Sequence, residues 1–433
     1  MSREGHAGTL PHRHARHGGG GAPRSHSWLW ALAALAFVIT LNPVTAERYA
    51  RSHFIVPWAV GLLWIMDLLV LVLGVLLSRG RRPHDAGAGP PHRALAVGLL
   101  LGLLCLEGLL RLFPAVALPA SLDRERSWRA SHSAPGNWVT TRWDMDEFSP
   151  LVGWQPKPNL RTPSVTTNSS GLRGTREYSP HRPPGVRRVL CVGDSFTFGE
   201  GLADDEAMPV QLEAELNRAG PGSWEVLNLG VHGYGTDQQW LRLQAIGFHY
   251  DDDVVVLGFF QGDLERNVMS FRDYAKPYFA IVDDRLALRN VPVPSPEELL
   301  GRRFPSPALY IASLIRSGPE RLRLALSFGD LADTRAGRVT LHILDVMREA
   351  VLSRGAQFVL MLIPRPITPQ GSDTERMLLR WGAATGTPVV NLRTAYLKLP
   401  AVERDRLYDG HWTPDGAHVT AGLLAAALRH HLS

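Results

Sequence analysis

Acyl chemistry at a serine near neutral pH needs three things: an exposed hydroxyl, a base to take its proton, and N–H groups aimed at the developing oxyanion. Ser195 is placed for the first. It lies in Gly193-Asp194-Ser195-Phe196-Thr197-Phe198-Gly199-Glu200-Gly201, directly after the continuous apolar run Arg188–Val192. A serine at a strand's carboxyl end, between glycines, can expose its hydroxyl and point its own N–H at a ligand. Taken alone, a serine there is more often a helix cap. For the base, two histidines near the C-terminus follow an acidic residue closely. His411 sits in Asp409-Gly410-His411-Trp412-Thr413-Pro414-Asp415-Gly416, and His418 in Asp415-Gly416-Ala417-His418. A carboxylate beside either imidazole would fix its tautomer and stabilise the imidazolium that forms.

The string around Ser195 resembles the first motif of the SGNH (GDSL-type) hydrolase family. Asn228-Leu229-Gly230-Val231-His232-Gly233-Tyr234-Gly235-Thr236-Asp237 resembles that family's glycine motif, and residues 409–416 its histidine motif. Thr166–Gly174 resembles a lead-in seen in membrane-attached members. The resemblance covers about residues 150–433 and implies a flavodoxin-like three-layer α/β/α sandwich with a parallel sheet. It further implies Ser195 as nucleophile and Gly233 N–H as an oxyanion donor beside the N–H of Ser195. His411, with Asp409 as its orienting acid, is preferred over His418 because Trp-Thr-Pro-x-Gly follows it as in the family.

Two departures stand out. The family often has its Asp three residues before the His; Tyr408 is there, and Asp409 is two before, a spacing that some acetyltransferase-like relatives share. The third motif, usually Gly-x-Asn-Asp, reads Gln261-Gly262-Asp263, so Gly262 stands where an oxyanion-donating Asn is expected. Losing one donor typically costs about 10²–10³ in turnover. Gln261 is the nearest replacement, with Asn267 next.

The elements that must position these residues follow from periodicity. Continuous apolar runs at Arg188–Val192, Glu225–Leu229, Asp253–Phe260, Gln357–Ile363 and Pro388–Leu392 read as strands covered on both faces. Helical patterns lie between them at Ala207–Arg218, Asp237–Gly247, Val339–Arg354, Asp373–Ala384 and Ala417–His431. Repeated β-α units imply a parallel sheet with helices on both sides and a ligand at the strands' carboxyl ends. Residues 187–433 form the expected catalytic domain and 120–186 a linker and domain entry. The stretch 264–337 interrupts the rhythm with a hairpin at Phe279–Leu288 and an apolar helix at Ala308–Leu326; a cap over the site is expected there.

The chain has 433 residues, 20% charged and 45% hydrophobic, with a formal net charge of +5. No long basic run with interleaved aromatics occurs in the C-terminal part, which argues against nucleic acid. There is no P-loop, no His-Glu-x-x-His and no zinc-like Cys/His spacing, so no metal or cofactor is implied. A disulfide between the two cysteines, Cys105 in an apolar run and Cys191 in a strand, is not expected. Residues 1–26 read as a basic, His-containing tail. Residues 27–119 hold three apolar segments, Trp28–Thr45, Phe54–Leu77 and Ala94–Pro119, read as two or three transmembrane helices. Glu107 and Arg111, four apart in the third, are expected to pair within a membrane bundle. The flanking arginines place the C-terminal domain on the outer, periplasmic face of the cell membrane. The resulting expectation is a membrane-anchored serine esterase acting on O-acyl, above all O-acetyl, groups of an envelope carbohydrate, or on a lipid ester. Two alternatives stand beside it: O-acyl transfer to an exported polysaccharide, which needs a multi-span acyl-donor partner, and weakly catalytic binding of an acylated glycan.

Overall fold

A strand buried on both faces alternates its side chains between two cores, and the central strands here do so residue by residue. The computed structural model describes residues 91–132, 140, 142, 144–218, 223–325 and 330–432. The chain divides into two compact units, 1–97 and 98–433. Helix α1 (Pro91–Leu112) ends at Phe113 and is followed by the short α2 (Pro114–Ala117) and by α3 (Ala120–Ser131). An antiparallel hairpin, β1 (Asp146–Ser149) and β2 (Gly153–Pro156), precedes the main sheet.

The sheet begins with β3 (Val186–Gly193), which leads into α4 (Ser195–Phe198) and then α5 (Met208–Arg218). It continues through β4 (Ser223–Asn228), α6 (Thr236–Ala245), β5 (Val254–Phe260) and the single-turn α7 (Asp263–Arg266). A second hairpin, β6 (Tyr278–Val282) and β7 (Arg285–Arg289), and helix α8 (Tyr310–Ala325) lie before α9 (Arg335–Ser353). The chain closes with β8 (Gln357–Ile363), α10 (Asp373–Thr385), β9 (Val389–Asn391), the two-residue strands β10 (Tyr408–Asp409) and β11 (His411–Trp412), and α11 (Pro414–Leu432). The five main strands are parallel in the order β4-β3-β5-β8-β9. That is the doubly wound flavodoxin-like order, whose switch point falls between β3 and β5.

On one face Leu190, Val192, Val255, Leu257, Phe358 and Leu360 pack with residues of α6, α9 and α10. On the other, Val189, Cys191, Val254, Val256, Val359 and Met361 pack with α5 and α11. Full burial of each large apolar side chain contributes about 1.5–3 kcal/mol, which is why these strands carry almost no polar residues.

Three sequence expectations are corrected. Within the expected linker and domain entry, the domain already begins by about residue 144: Val152, Trp154 and Leu172 belong to the larger core. Trp154 Nε1 donates to the carbonyl of His232 at 3.1 Å, and the Tyr234 hydroxyl donates back to the Trp154 carbonyl. The stretch 264–337 is not a single cap. Its first residues reach the site, Phe279 joins the main core, and α8 packs through Tyr310 on Leu110, Ala117 and Leu118. Finally, Glu107 and Arg111 pair at 2.8 Å, but they clasp α8. The Glu107 carboxylate accepts the N–H groups of Tyr310 and Ile311 at 3.0 Å each, and Arg111 donates to the Ala308 carbonyl at 2.9 Å. A carboxylate on a helix's first free N–H groups is an effective cap.

The first two apolar segments lie outside the described residues. The third is broken by Phe113 and Pro114, and among the described residues no helix is long and apolar enough to cross a membrane. Cys105 and Cys191 are both free thiols.

Candidate active site

Ser195 opens α4 immediately beyond β3, with Asp194 as its N-cap accepting from Phe196 N–H at 3.0 Å. The turn of helix folds tightly onto the strand end: a Cβ on Gly193 would lie 2.0 Å from Thr197 Oγ1, so only glycine fits. Ser195 Oγ lies 2.8 Å from His411 Nε2, across 216 residues of chain. His411 comes from the β10–β11 hairpin, which turns at Gly410. Its ring packs 4.9 Å from that of Phe196, which also meets the Trp412 ring at 5.1 Å. Phe196, the residue after Ser195, thus seats the His411 ring.

The two residues expected to donate to an oxyanion, Ser195 and Gly233, follow β3 and β4. Neither Ser195 N–H nor Gly233 N–H is engaged by any hydrogen bond among the described residues, and both residues line the same cavity of about 270 Å³. Gly233 has φ +78, and a Cβ there would lie 2.3 Å from Asp273 Oδ2 and 2.7 Å from Arg272 Nη1. Its left-handed backbone and its close neighbours both require glycine. The turn is held by the Trp154 and Tyr234 bonds described above, and Gln238 Nε2 adds a bond to the Val152 carbonyl at 2.8 Å. Arg173, from the lead-in motif, donates to the carbonyls of Phe198, Gly199 and Leu202 and pairs with Asp204 at 3.0 Å, bracing the far end of the Ser195 turn.

The remaining expected residues are placed otherwise. Asp409 is exposed, and its carboxylate makes no hydrogen bond to His411 among the described residues, although the two backbones are paired across the hairpin. Gln261 directs its amide to the Arg365 carbonyl and is not among the residues that line the Ser195 cavity. Asn267 is fully buried, accepting from Asp237 N–H at 3.2 Å and donating to Thr340 Oγ1 at 2.9 Å. Gly262 has ordinary right-handed angles, φ −68 and ψ −16, and a Cβ there would meet the Phe260 ring at 2.6 Å. His418 is exposed and bonds to Gln211 at 3.1 Å, away from Ser195. Of the two histidines, only His411 reaches the serine.

Sequence reasoning missed the arginines. Arg142, Arg266, Arg272 and Arg365 all line the cavity, together with Asp273 and His232. Arg142 pairs with Glu200, and Arg272 with Asp273. Arg266 Nη1 donates to Asp194 Oδ2 at 2.8 Å, to Asp263 Oδ1 at 2.9 Å and to the Tyr234 carbonyl at 2.9 Å. Burial and the neighbouring Asp194 charge raise the Asp263 carboxyl well above the usual carboxylate range. His232 is buried with Nε2 2.9 Å from Asp146 Oδ2, yet neither of its ring nitrogens has a well-aligned hydrogen bond. Nothing local marks these residues, since arginines are scattered along the chain.

Partial burial lowers the His411 pKa from its ordinary value. Glu200 and Asp194 oppose that shift, and Arg365 and Arg142 reinforce it. A neutral imidazole at neutral pH is the form that can take the serine proton.

No family model matches the chain, and no curated protein does. Among solved structures it is similar to a lipase/acylhydrolase from Enterococcus faecalis, at 16% identity and a TM-score of 0.34, over 57% of this chain and 96% of that one. It is similar to the psychrotrophic esterase EstA from a Pseudoalteromonas species, at 12% identity and a TM-score of 0.33, over 57% and 98%. A further match is an acetyl xylan esterase, at 13% identity and a TM-score of 0.33, over 56% and 99%.

Proposed function

We propose that this chain is a serine esterase that removes short acyl groups, foremost acetyl, from a carbohydrate outside the cytoplasm. The observation that carries the reading is the 2.8 Å contact between Ser195 Oγ and His411 Nε2 at the mouth of two unspent N–H groups. In the proposed reaction His411 takes the Ser195 proton as Oγ attacks the ester carbonyl. The N–H groups of Ser195 and Gly233 receive the oxyanion. Protonated His411 then returns its proton to the departing alcohol, leaving an acyl-serine that water hydrolyses by the same route in reverse. A cavity of about 270 Å³ with charged walls suits a short acyl group better than a long hydrocarbon chain.

The base works as half of a dyad in this reading, because Asp409 does not reach it. Glu200 and Asp194 supply the negative field that an orienting acid would otherwise provide. The decisive experiment is incubation of the full chain with a fluorophosphonate probe and with p-nitrophenyl acetate. Labelling mapped to Ser195, with ester turnover abolished in Ser195→Ala, is the expected result. An unlabelled serine in a folded protein would overturn the reading.

The extracytoplasmic location is part of the same proposal. Its support is the arginine distribution around the apolar segments before residue 120. Exposed Leu100, Leu103, Leu104 and Leu112 on α1 add an apolar surface suited to a membrane boundary.

A further inference from the structure

The cavity at Ser195 has a neighbour. A second cavity, of about 540 Å³, is lined by α3 residues including Asp123, Arg124, Ser127 and Ser131, and it shares Arg272 and Asp273 with the first. The paired side chains of Arg272 and Asp273 therefore form a sill between two chambers, each close to or within the ~300–1,000 Å³ typical of ligand sites.

The charges in these chambers are of two kinds. Arg142, Arg266 and Arg272 have carboxylate partners, and so do the acids facing the space: Asp273 with Arg272, and Asp123 with Arg126 at 2.9 Å. Arg365 in the first chamber and Arg124 in the second are exposed, and neither forms an ion pair or hydrogen bond with its side chain among the described residues. Arg365 is also held deliberately in place. It follows β8 at the carboxyl edge of the sheet, and Gln261 binds its carbonyl oxygen. The residue expected to assist the oxyanion instead anchors this arginine's backbone.

We propose that the two chambers form one groove for an acylated acidic glycan, with Arg365 and Arg124 each pairing with a carboxylate of the chain on either side of the Arg272–Asp273 sill. This deepens the esterase reading and rests on it for the ester. The mixed lining selects the ligand class. The aspartates and the oxygens of Ser127 and Ser131, whose own protons are spent on backbone carbonyls, can accept hydrogen bonds from sugar hydroxyls, while the unpaired guanidinium groups match carboxylates. A polyphosphate backbone would meet Asp273 and Asp123. A single-stranded nucleic acid would also want uncovered aromatic faces, whereas Trp128 is buried with His132 stacked on it at 4.6 Å.

The test uses binding of unacetylated oligomers, which needs no catalysis. Tetragalacturonate and the neutral galactotetraose are titrated calorimetrically into the full-length protein. The acidic tetramer should bind at least tenfold more tightly, and raising the salt to about 1 M should remove most of that preference. Arg365→Gln and Arg124→Gln should each weaken tetragalacturonate about tenfold and leave galactotetraose within about twofold; thermal melts verify that both variants fold. Equal affinity for the two tetramers, no binding of either, or an acid preference untouched by both substitutions would overturn the proposal. Wild-type turnover of p-nitrophenyl acetate, measured in parallel, judges the esterase reading separately. A chain that binds the acidic tetramer but cleaves no ester keeps the groove and loses the esterase, and the converse result does the opposite.

Discussion

At the scale of single residues, catalysis is assigned to one contact and to the field around it. Ser195→Ala and His411→Ala are each expected to remove nearly all turnover of p-nitrophenyl acetate, and the double variant to lose little more, since the two act as a unit. Asp409→Asn should stay within a few-fold of wild type, because its carboxylate is exposed and unbonded to His411. In a working triad the same change costs about 10⁴. A loss of that size would show that Asp409 swings onto the imidazole during turnover. The pH profile reads the surrounding charge. Since burial lowers the His411 pKa, the acid limb of kcat/KM should have its midpoint below the ordinary value of about 6.5. Arg365 pushes that pKa down, so Arg365→Gln should move the limb to higher pH. Glu200 pushes it up, so Glu200→Gln should move the limb to lower pH. Both limbs shifting the same way would contradict this account of the field.

At the scale of elements, the segment from α7 to β6 is stitched to α6 by a buried ion pair. Lys276 and Asp237 are both fully buried and in contact, and Lys276 Nζ also donates to the carbonyls of Arg266 at 3.0 Å, Met269 at 3.2 Å and Pro277 at 2.9 Å. Burial pulls the lysine pKa down and pushes the aspartate pKa up, each opposed by its partner. Because this knot holds the loop that carries Arg266, Arg272 and Asp273, stability and site geometry are linked. Lys276→Met should cost about 3–5 kcal/mol in denaturant melts, the loss expected when one half of a buried pair is removed. Adding Asp237→Asn to it should recover part of that loss, because the orphaned charge is gone. Additive losses would mean that the pair is no energetic unit.

At the scale of the whole molecule, the catalytic unit and the chain before it were legible to different degrees. The bonds of Trp154 to His232 and of Tyr234 to Trp154 tie residues expected as linker and domain entry to the turn that carries Gly233. The side of the membrane is checked by fusions. A C-terminal alkaline phosphatase fusion to the full chain is expected to be active and a C-terminal green fluorescent protein fusion dark. The reverse pattern would place the site in the cytoplasm and remove an extracellular glycan from consideration.

The sequence by itself determined the five strands and the flanking helices, and it singled out Ser195, Gly233 and His411, which the structure brings to one cavity. Continuous apolar runs, strand-end glycines and short motifs are properties of near neighbours in the chain, so they can be read without coordinates. The helix expected at Val339 begins earlier, at Arg335, because Thr334 caps it through Gly337 N–H, a local signal hidden by the glycine. Only the tertiary structure decided the rest: that Asp409 turns to solvent, that Gln261 holds Arg365, and that Arg142, Arg266, Arg272 and Arg365 meet at one mouth. Those relations join residues from separate loops, and their positions follow from how five parallel strands twist and how their crossovers pack. A side chain's partner across a hundred residues is fixed by that packing, and no local pattern encodes it.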